Sequence, residues 1–152
     1  MNRSPVPVWV EGGTRSTVMS SPYNDEQRRA YLTMTDNILQ HWLRLFDHNT
    51  DFYSAVYWDL FTRIWKAGGP VRRTDALRFM FSVKSAETAG KYINEAMRQG
   101  FLHEYPNPQD ARSKLLELSA DFRARLDTYF DNAVSAVREA SQGITQKERD
   151  SG

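Results

Sequence analysis

The chain contains no cysteine among its 152 residues. That excludes a disulfide framework, a thiolate zinc site, a cysteine nucleophile and thiol-based redox sensing. No apolar run approaches the roughly 18 residues of a membrane-spanning helix, so a soluble protein without membrane contact is expected. An excess of one charge is lacking too: 20 Lys and Arg stand against 19 Asp and Glu, a net +1. A wholesale polycation is therefore excluded, and any nucleic-acid surface must be a local patch. There is no Gly-rich phosphate loop, Ser/His/Asp arrangement, paired-carboxylate motif or internal repeat. His41 and His48 share a helix face by their spacing, but no Asp or Glu completes a plausible metal set there, and His103 sits in a strand-like run. No metal, no cofactor and no enzymatic activity are expected.

What is present suffices for a core. Hydrophobic residues make up 40% of the chain, aromatic residues 12% and charged residues 26%, which suits about one globular domain. Residues 1–22 hold Pro5, Pro7, Gly12, Gly13 and Pro22 and read as a flexible arm, within which Val6 to Val10 can pair as an edge strand. The arm lacks the continuous apolar stretch of a secretory signal, and cytoplasm is the default location.

Asn24, followed by acids and by Gln27, marks a helix start. From there Tyr31, Met34, Ile38, Trp42 and Leu45 recur at helical spacing, with Leu32, Leu39, Leu43 and Phe46 as a second stripe. A helix this apolar around its girth packs on two sides, and a second subunit is a natural occupant of one of them. Asp51 to Ala67 forms the next helix, with Phe52, Val56, Leu60, Phe61 and Ile64 inward, stopped by Gly68-Gly69-Pro70. After a short strand, Thr74 is expected to cap a brief helix reaching Phe81, with Leu77, Met80 and Phe81 as core contacts. Ser85 caps a helix to Gln99, and Gly100 supplies its C′ position. Strand-like runs Phe101 to Tyr105 and Lys114 to Leu118 bracket a Pro-Asn-Pro-Gln-Asp tip. A long last helix carries Phe122, Leu126, Tyr129, Phe130, Ala133 and Val137 on one stripe, ahead of a polar, frayed tail from 143 to 152.

The fold class that follows is mainly α with a small β-wing. A winged helix-turn-helix core (51–118) is flanked by N- and C-terminal dimerisation helices (23–47 and 119–142) in a single domain over 23–142. In such a pair the second helix reads DNA through its N-terminal half and outer face. With Ala86, Ala89, Ile93, Ala96 and Met97 inward, Thr88, Lys91, Tyr92 and Glu95 face outward. Thr88 and Lys91 then reach phosphates or base edges, and Tyr92 a sugar or thymine methyl. Alternatively, this is a solvated face that happens to hold a lysine. Between Arg72 and Lys114, eight basic residues against five acidic ones leave +3. They include Arg72, Arg73, Lys84, Lys91, Arg112 and Lys114; Arg72, Arg73 and Thr74 precede a helix start, where amides favour phosphate.

The string Gly100-Phe101-Leu102, followed by Asp110-Ala111-Arg112 and by Lys114-Leu115-Leu116-Glu117-Leu118-Ser119, resembles the MarR family of bacterial and archaeal winged-helix regulators. The spacing of Ser85 and Thr88 to Gly100 fits that family's recognition helix. The resemblance implies a MarR-type bacterial repressor that binds double-stranded DNA at a near-palindromic operator as a homodimer. It implies that Arg112 enters the minor groove at the wing tip, that Asp110 pairs with basic groups to hold the wing, and that Thr88 and Lys91 face the major groove. Lys84, Ser85 and Lys114 complete the expected DNA-contacting set. The chain departs from the family's pattern at Glu104, where a basic residue is common, at Ser119 and Phe122 after the second strand, and at Gly90.

Trp42, Tyr53, Tyr57, Trp58 and Trp65 lie on the first two helices and are candidates for a pocket holding a small aromatic ligand, and the resemblance implies that binding of such a ligand releases DNA. Arg44 or Arg63 is available to a ligand carboxylate. The competing reading is a winged-helix protein–protein module without a DNA role, which Glu87, Glu95 and Glu104 near the supposed DNA face favour.

Overall fold

The computed structural model describes residues 21–151. The expected arm therefore lies outside the described residues but for its last two, as does the Val6 to Val10 strand. The elements are α1 (Asp25–Arg44), a 3-10 turn (Thr50–Phe52), α2 (Ala55–Ala67), β1 (Val71–Arg72), α3 (Arg73–Phe79), α4 (Ala86–Arg98), β2 (Leu102–Pro106), β3 (Lys114–Leu118) and α5 (Ala120–Ser151). They form two compact units: residues up to 35 together with those from 138 onward, and Asp36–Val137.

In the first unit, Asn24 and Gln27 cap α1 reciprocally, each backbone N–H donating to the other's side-chain oxygen at 2.8 Å. This satisfies donors that a helix start otherwise leaves orphaned. Gln27 Nε2 also donates to the Ile144 carbonyl, and Glu26 pairs with Lys147. These contacts accompany a correction: the expected frayed tail is helical, and α5 continues to Ser151. Polar residues spaced three and four apart support that last stretch, Gln146 bonding both Asp150 and Arg149.

The second unit holds the core. The sheet order is β1-β3-β2, antiparallel throughout, with Val71 opposite Leu116 and Leu102 opposite Leu118. All four of these side chains are buried beneath the helices. An aromatic cluster fills the space between α1, α2, the end of α4 and α5. Phe46 stacks on Phe52 at 4.9 Å between centroids, and Phe122 lies 4.8 Å from Phe61 and 4.5 Å from Phe101. Burial pushes the Tyr57 and Tyr129 hydroxyls up to about 12, since a phenolate there would lose its hydration.

The expected helix from Asp51 is split. Ser54 takes an extended conformation (φ −149°) and accepts from the Tyr57 N–H, so α2 starts at Ala55 behind a short 3-10 turn. Gly68, at φ +80°, closes α2 in the left-handed region that glycine adopts without strain. Thr74 is not a cap. Arg72 pairs with Leu115 in the sheet, which fixes the helix start one residue on, and Thr74 lies exposed inside α3. Phe81 is not core: Met80 takes the buried site, and Phe81, 71% exposed, lies in the turn under the Arg63 guanidinium. His48 lies beyond the end of α1 at φ +63°, so it does not share a helix face with His41. Among the described residues, no cluster of three or more His, Asp or Glu is placed to hold a metal ion, and no helix is long and apolar enough to cross a membrane.

Candidate nucleic-acid interface

α4 is positioned by Ala89, Ile93 and Ala96, which are buried in the core, and by caps at both ends. Ser85 Oγ accepts from the Thr88 N–H at 3.1 Å, and Gly100 at φ +83° turns the chain into β2. The Ser85 hydroxyl donates to Thr88 Oγ1 at 2.9 Å. That leaves the Thr88 hydroxyl proton free to donate outward from the first turn of an exposed helix end.

Lys91 stands one turn further on, exposed. Tyr92 does not face outward as expected: it packs on the core and meets Tyr57 edge-on at 5.2 Å. A phenol ring loses more by staying in water than this half-buried slot costs in entropy. Glu95 is likewise turned along its own helix, accepting from Arg98 and Gln99, which hold its carboxyl below the usual range. Ala86, expected inward, is exposed, and Met97 is only partly buried.

The wing tip is a tightly bonded turn. Asn107 N–H donates to the Ser113 carbonyl at 3.2 Å and Ser113 N–H to the Asp110 carbonyl at 3.0 Å. Asp110 Oδ1 accepts from the Arg112 N–H at 3.0 Å and lies 3.6 Å from the same residue's guanidinium. Asp110 thus braces the tip locally. Among the described residues it makes no ion pair with a second element. The Arg112 side chain is 94% exposed.

The charge pattern separates the basic residues into two groups. Arg72 and Arg78 share Asp75, Arg98 is held by Glu95, and Arg73 by Glu104 at 2.7 Å. Arg73 also donates to Asn94 Oδ1 at 3.1 Å, so one guanidinium ties the start of α3 to α4 and to β2. Of the two expected phosphate contacts, Arg72 remains exposed at the surface while sharing Asp75 with Arg78, and Arg73 is drawn in against Glu104. Lys84, Lys91 and Lys114 form no ion pair among the described residues, and Arg112 has only its loose bond to Asp110. The structure thus leaves Thr88, Lys84 and Lys91 available along α4 and Arg112 with Lys114 along the wing. Sequence reasoning missed Asn94 and the Arg73–Glu104 pair. Both depend on partners 21 and 31 residues away, a separation that helical or strand periodicity does not encode.

Of the aromatic residues expected to line a pocket, Trp42, Tyr53 and Trp58 do share one. With Leu39, Ser54, Ala55 and Tyr129 they surround a cavity of about 290 Å³. Tyr57 is instead part of the core cluster, and Trp65 packs on Phe130 while its Nε1 donates to Asp127 at 2.8 Å.

Two helices joined by a tight turn, then a two-stranded wing paired with a short first strand, define a winged helix-turn-helix. Solved structures with this fold include wild-type MarR from E. coli in its apo form, at TM-score 0.52 and 15% identity over 88% of this chain and 92% of that one. RV1404 from Mycobacterium tuberculosis superposes at TM-score 0.61 and 13% identity, covering 88% and 89% of the two chains. The transcriptional regulator Tm0710 from Thermotoga maritima does so at 0.51 and 14%, over 84% and 89%. The chain has the winged-helix fold of MarR-family regulators. No protein-family model matches the sequence, and no curated protein does.

Proposed function

We propose that the protein is a transcriptional regulator that binds duplex DNA as a homodimer, α4 entering the major groove and the wing reaching the adjacent minor groove. The observation that carries this reading is the set of exposed cations at the start of α4 and along the wing, Lys84, Lys91, Arg112 and Lys114, on a winged helix-turn-helix. Arg73 is held by Glu104 inside the fold and Arg72, Arg78 and Arg98 pair with acids at the surface, whereas Lys84, Lys91 and Lys114 form no ion pair among the described residues. Phosphate neutralisation releases counterions, so log K should fall linearly with log salt, by about 0.9 per phosphate contacted. A fluorescence-anisotropy titration across a salt series tests this. Binding that is flat with salt contradicts it.

The alternative, a winged-helix module that docks a protein, draws on acids near this face. Glu95 and Glu104 are engaged with Arg98 and Arg73, which leaves Glu87 alone among the three and weakens that reading. A prediction follows from the same pair. Glu104→Gln removes a negative charge beside α4 and releases Arg73, so affinity for DNA of any sequence should rise several-fold with a steeper salt slope. Unchanged affinity would place Arg73 outside the interface.

The dimer reading rests on exposed apolar side chains on both long helices, Leu32 and Leu39 on α1 and Val134 and Val137 on α5. Leu43 and Phe130, expected on the same surface, are half-buried. Light scattering at about tens of micromolar should give twice the chain mass, because an obligate pair has no stable monomer at that concentration; the mass of a single chain contradicts the reading. A two-fold axis would match a near-palindromic operator with half-sites about one helical turn apart.

The aromatic cavity supports a further reading, in which a small aromatic metabolite binds against Trp42, Tyr53 and Trp58 and releases DNA. A ligand achieves this only by binding one conformer better than the other, and tenfold release needs about 1.4 kcal/mol of coupling. A panel of aromatic acids and phenols, with peroxide as control, should identify a ligand that both quenches tryptophan fluorescence and weakens operator binding. Release by peroxide but by none of the panel contradicts this reading.

A further inference from the structure

A cavity of about 430 Å³ lies where the end of α2, the wing strands β2 and β3 and the first turn of α5 meet, and it shares no residue with the aromatic one. Its size suits a small organic ligand. The aromatic cavity has no charged residue in its wall, whereas this one has both signs: the Glu117 carboxylate on β3 and the Arg123 guanidinium on α5, with the His103 imidazole on β2. Ile64 and Leu118 supply apolar wall. We propose that this cavity is a binding site for a free α-amino acid with an aliphatic side chain.

The charged groups are positioned yet open. Glu117 and His103 are register partners on β3 and β2, which puts both on the same face of the sheet. Neither side chain makes a hydrogen bond or ion pair among the described residues. Arg123 is held loosely: its guanidinium lies over the Trp65 ring at 5.1 Å and its Nε stands 3.5 Å from Asp127. Its side chain makes no hydrogen bond among the described residues, so the planar fork is free to match both oxygens of a carboxylate. The backbone repeats this polarity. α2 ends at the cavity, where its last carbonyls carry partial negative charge, and α5 begins there with Ala120, where the amides carry partial positive charge. An ammonium is therefore favoured towards Glu117 and the end of α2, and a carboxylate towards Arg123 and the start of α5. An α-amino acid carries both groups on one carbon, and its aliphatic side chain meets Ile64 and Leu118. A carboxylate or an amine alone satisfies one end and leaves the opposite charge unpaired.

The proposal concerns binding alone and stands whether or not the protein binds DNA. Isothermal titration of the full chain with leucine tests it, beside isocaproate, which lacks the ammonium, and isoamylamine, which lacks the carboxylate. Leucine should bind saturably and each counterpart at least about tenfold more weakly, as expected when one charge-assisted contact is lost. Glu117→Gln should weaken leucine by about tenfold or more and narrow its advantage over isocaproate, whereas Trp58→Ala in the aromatic cavity should leave it unchanged. Gly69→Leu fills the cavity while keeping Glu117 and Arg123 and should abolish binding. The fold accommodates that side chain, since no atom lies within 4 Å of the Cβ position at Gly69, and circular dichroism confirms that each variant is folded. Absence of saturable leucine binding, equal binding of either counterpart, or unchanged binding in Glu117→Gln or in folded Gly69→Leu overturns the proposal. Loss in Trp58→Ala but not in Glu117→Gln places leucine in the aromatic cavity and overturns it equally.

Discussion

Phe122→Ala is expected to lower the unfolding free energy by about 3–5 kcal/mol, the range for truncating a fully buried aromatic side chain. Phe122 is fully buried, at the first turn of α5, and its ring meets Phe46, Phe61 and Phe101 with centroids 4.5–5.8 Å apart. Those partners come from the turn after α1, from α2 and from the turn after α4. One ring therefore joins four segments that are distant in sequence. The loss combines hydrophobic transfer, a cavity that rigid neighbouring rings cannot close, and the ring contacts themselves, edge-to-face with Phe61 and tilted with Phe46 and Phe101. Against a typical total of about 5–15 kcal/mol, this is about a fifth of the stability or more. Urea denaturation of the variant beside the parent chain measures it. A loss under about 1 kcal/mol would mean that the cluster is loosely packed or relaxes into the gap.

The second large effect concerns binding. Arg112→Ala should cost about 1–3 kcal/mol of operator affinity, as for an arginine set into a narrow minor groove or on base edges. The fold should be unaffected. The side chain is 94% exposed, and the bonds that shape the wing tip run through the Asn107, Asp110 and Ser113 backbones, which the substitution leaves in place. Lys91→Ala gives a contrasting signature: a phosphate contact weakens binding to all sequences and makes the salt slope shallower by about one unit. Anisotropy titrations of the two variants separate the cases. Unchanged operator affinity in a folded Arg112→Ala protein would remove the wing from the mechanism.

Much of the architecture was legible because it is written in local chemistry. Ser85 at the start of α4, Gly68 and Gly100 after α2 and α4, and the strand Lys114–Leu118 are specified by a few neighbouring residues each, and the structure has all of them. The elements that departed from expectation were decided by distant partners. Sheet pairing of Arg72 with Leu115 moved the start of α3 away from Thr74. Competition for one buried site gave Met80 the core and left Phe81 in the turn. At the candidate interface, the spacing of Thr88 and Lys91 on the outer face of α4 followed from helical period. The partition of the arginines did not. Arg73 looks as available as Lys91 in the sequence, and only the approach of β2 to α3 brings Glu104 within 2.7 Å of it. The aromatic residues illustrate the same limit, since Trp42 and Trp58 flank a cavity while Tyr57, one residue before Trp58, is core.

The central claim is sequence-specific binding to duplex DNA, and the most direct test is an anisotropy titration of the full chain at physiological salt. Labelled DNA from the region upstream of the protein's own gene is compared with random DNA of equal length. Specific sites are bound about 10³-fold or more tightly than non-specific DNA by proteins of this kind, and the account predicts a preference of that order, diminished by Arg112→Ala. Equal binding to both DNAs, or no binding to either, would contradict it.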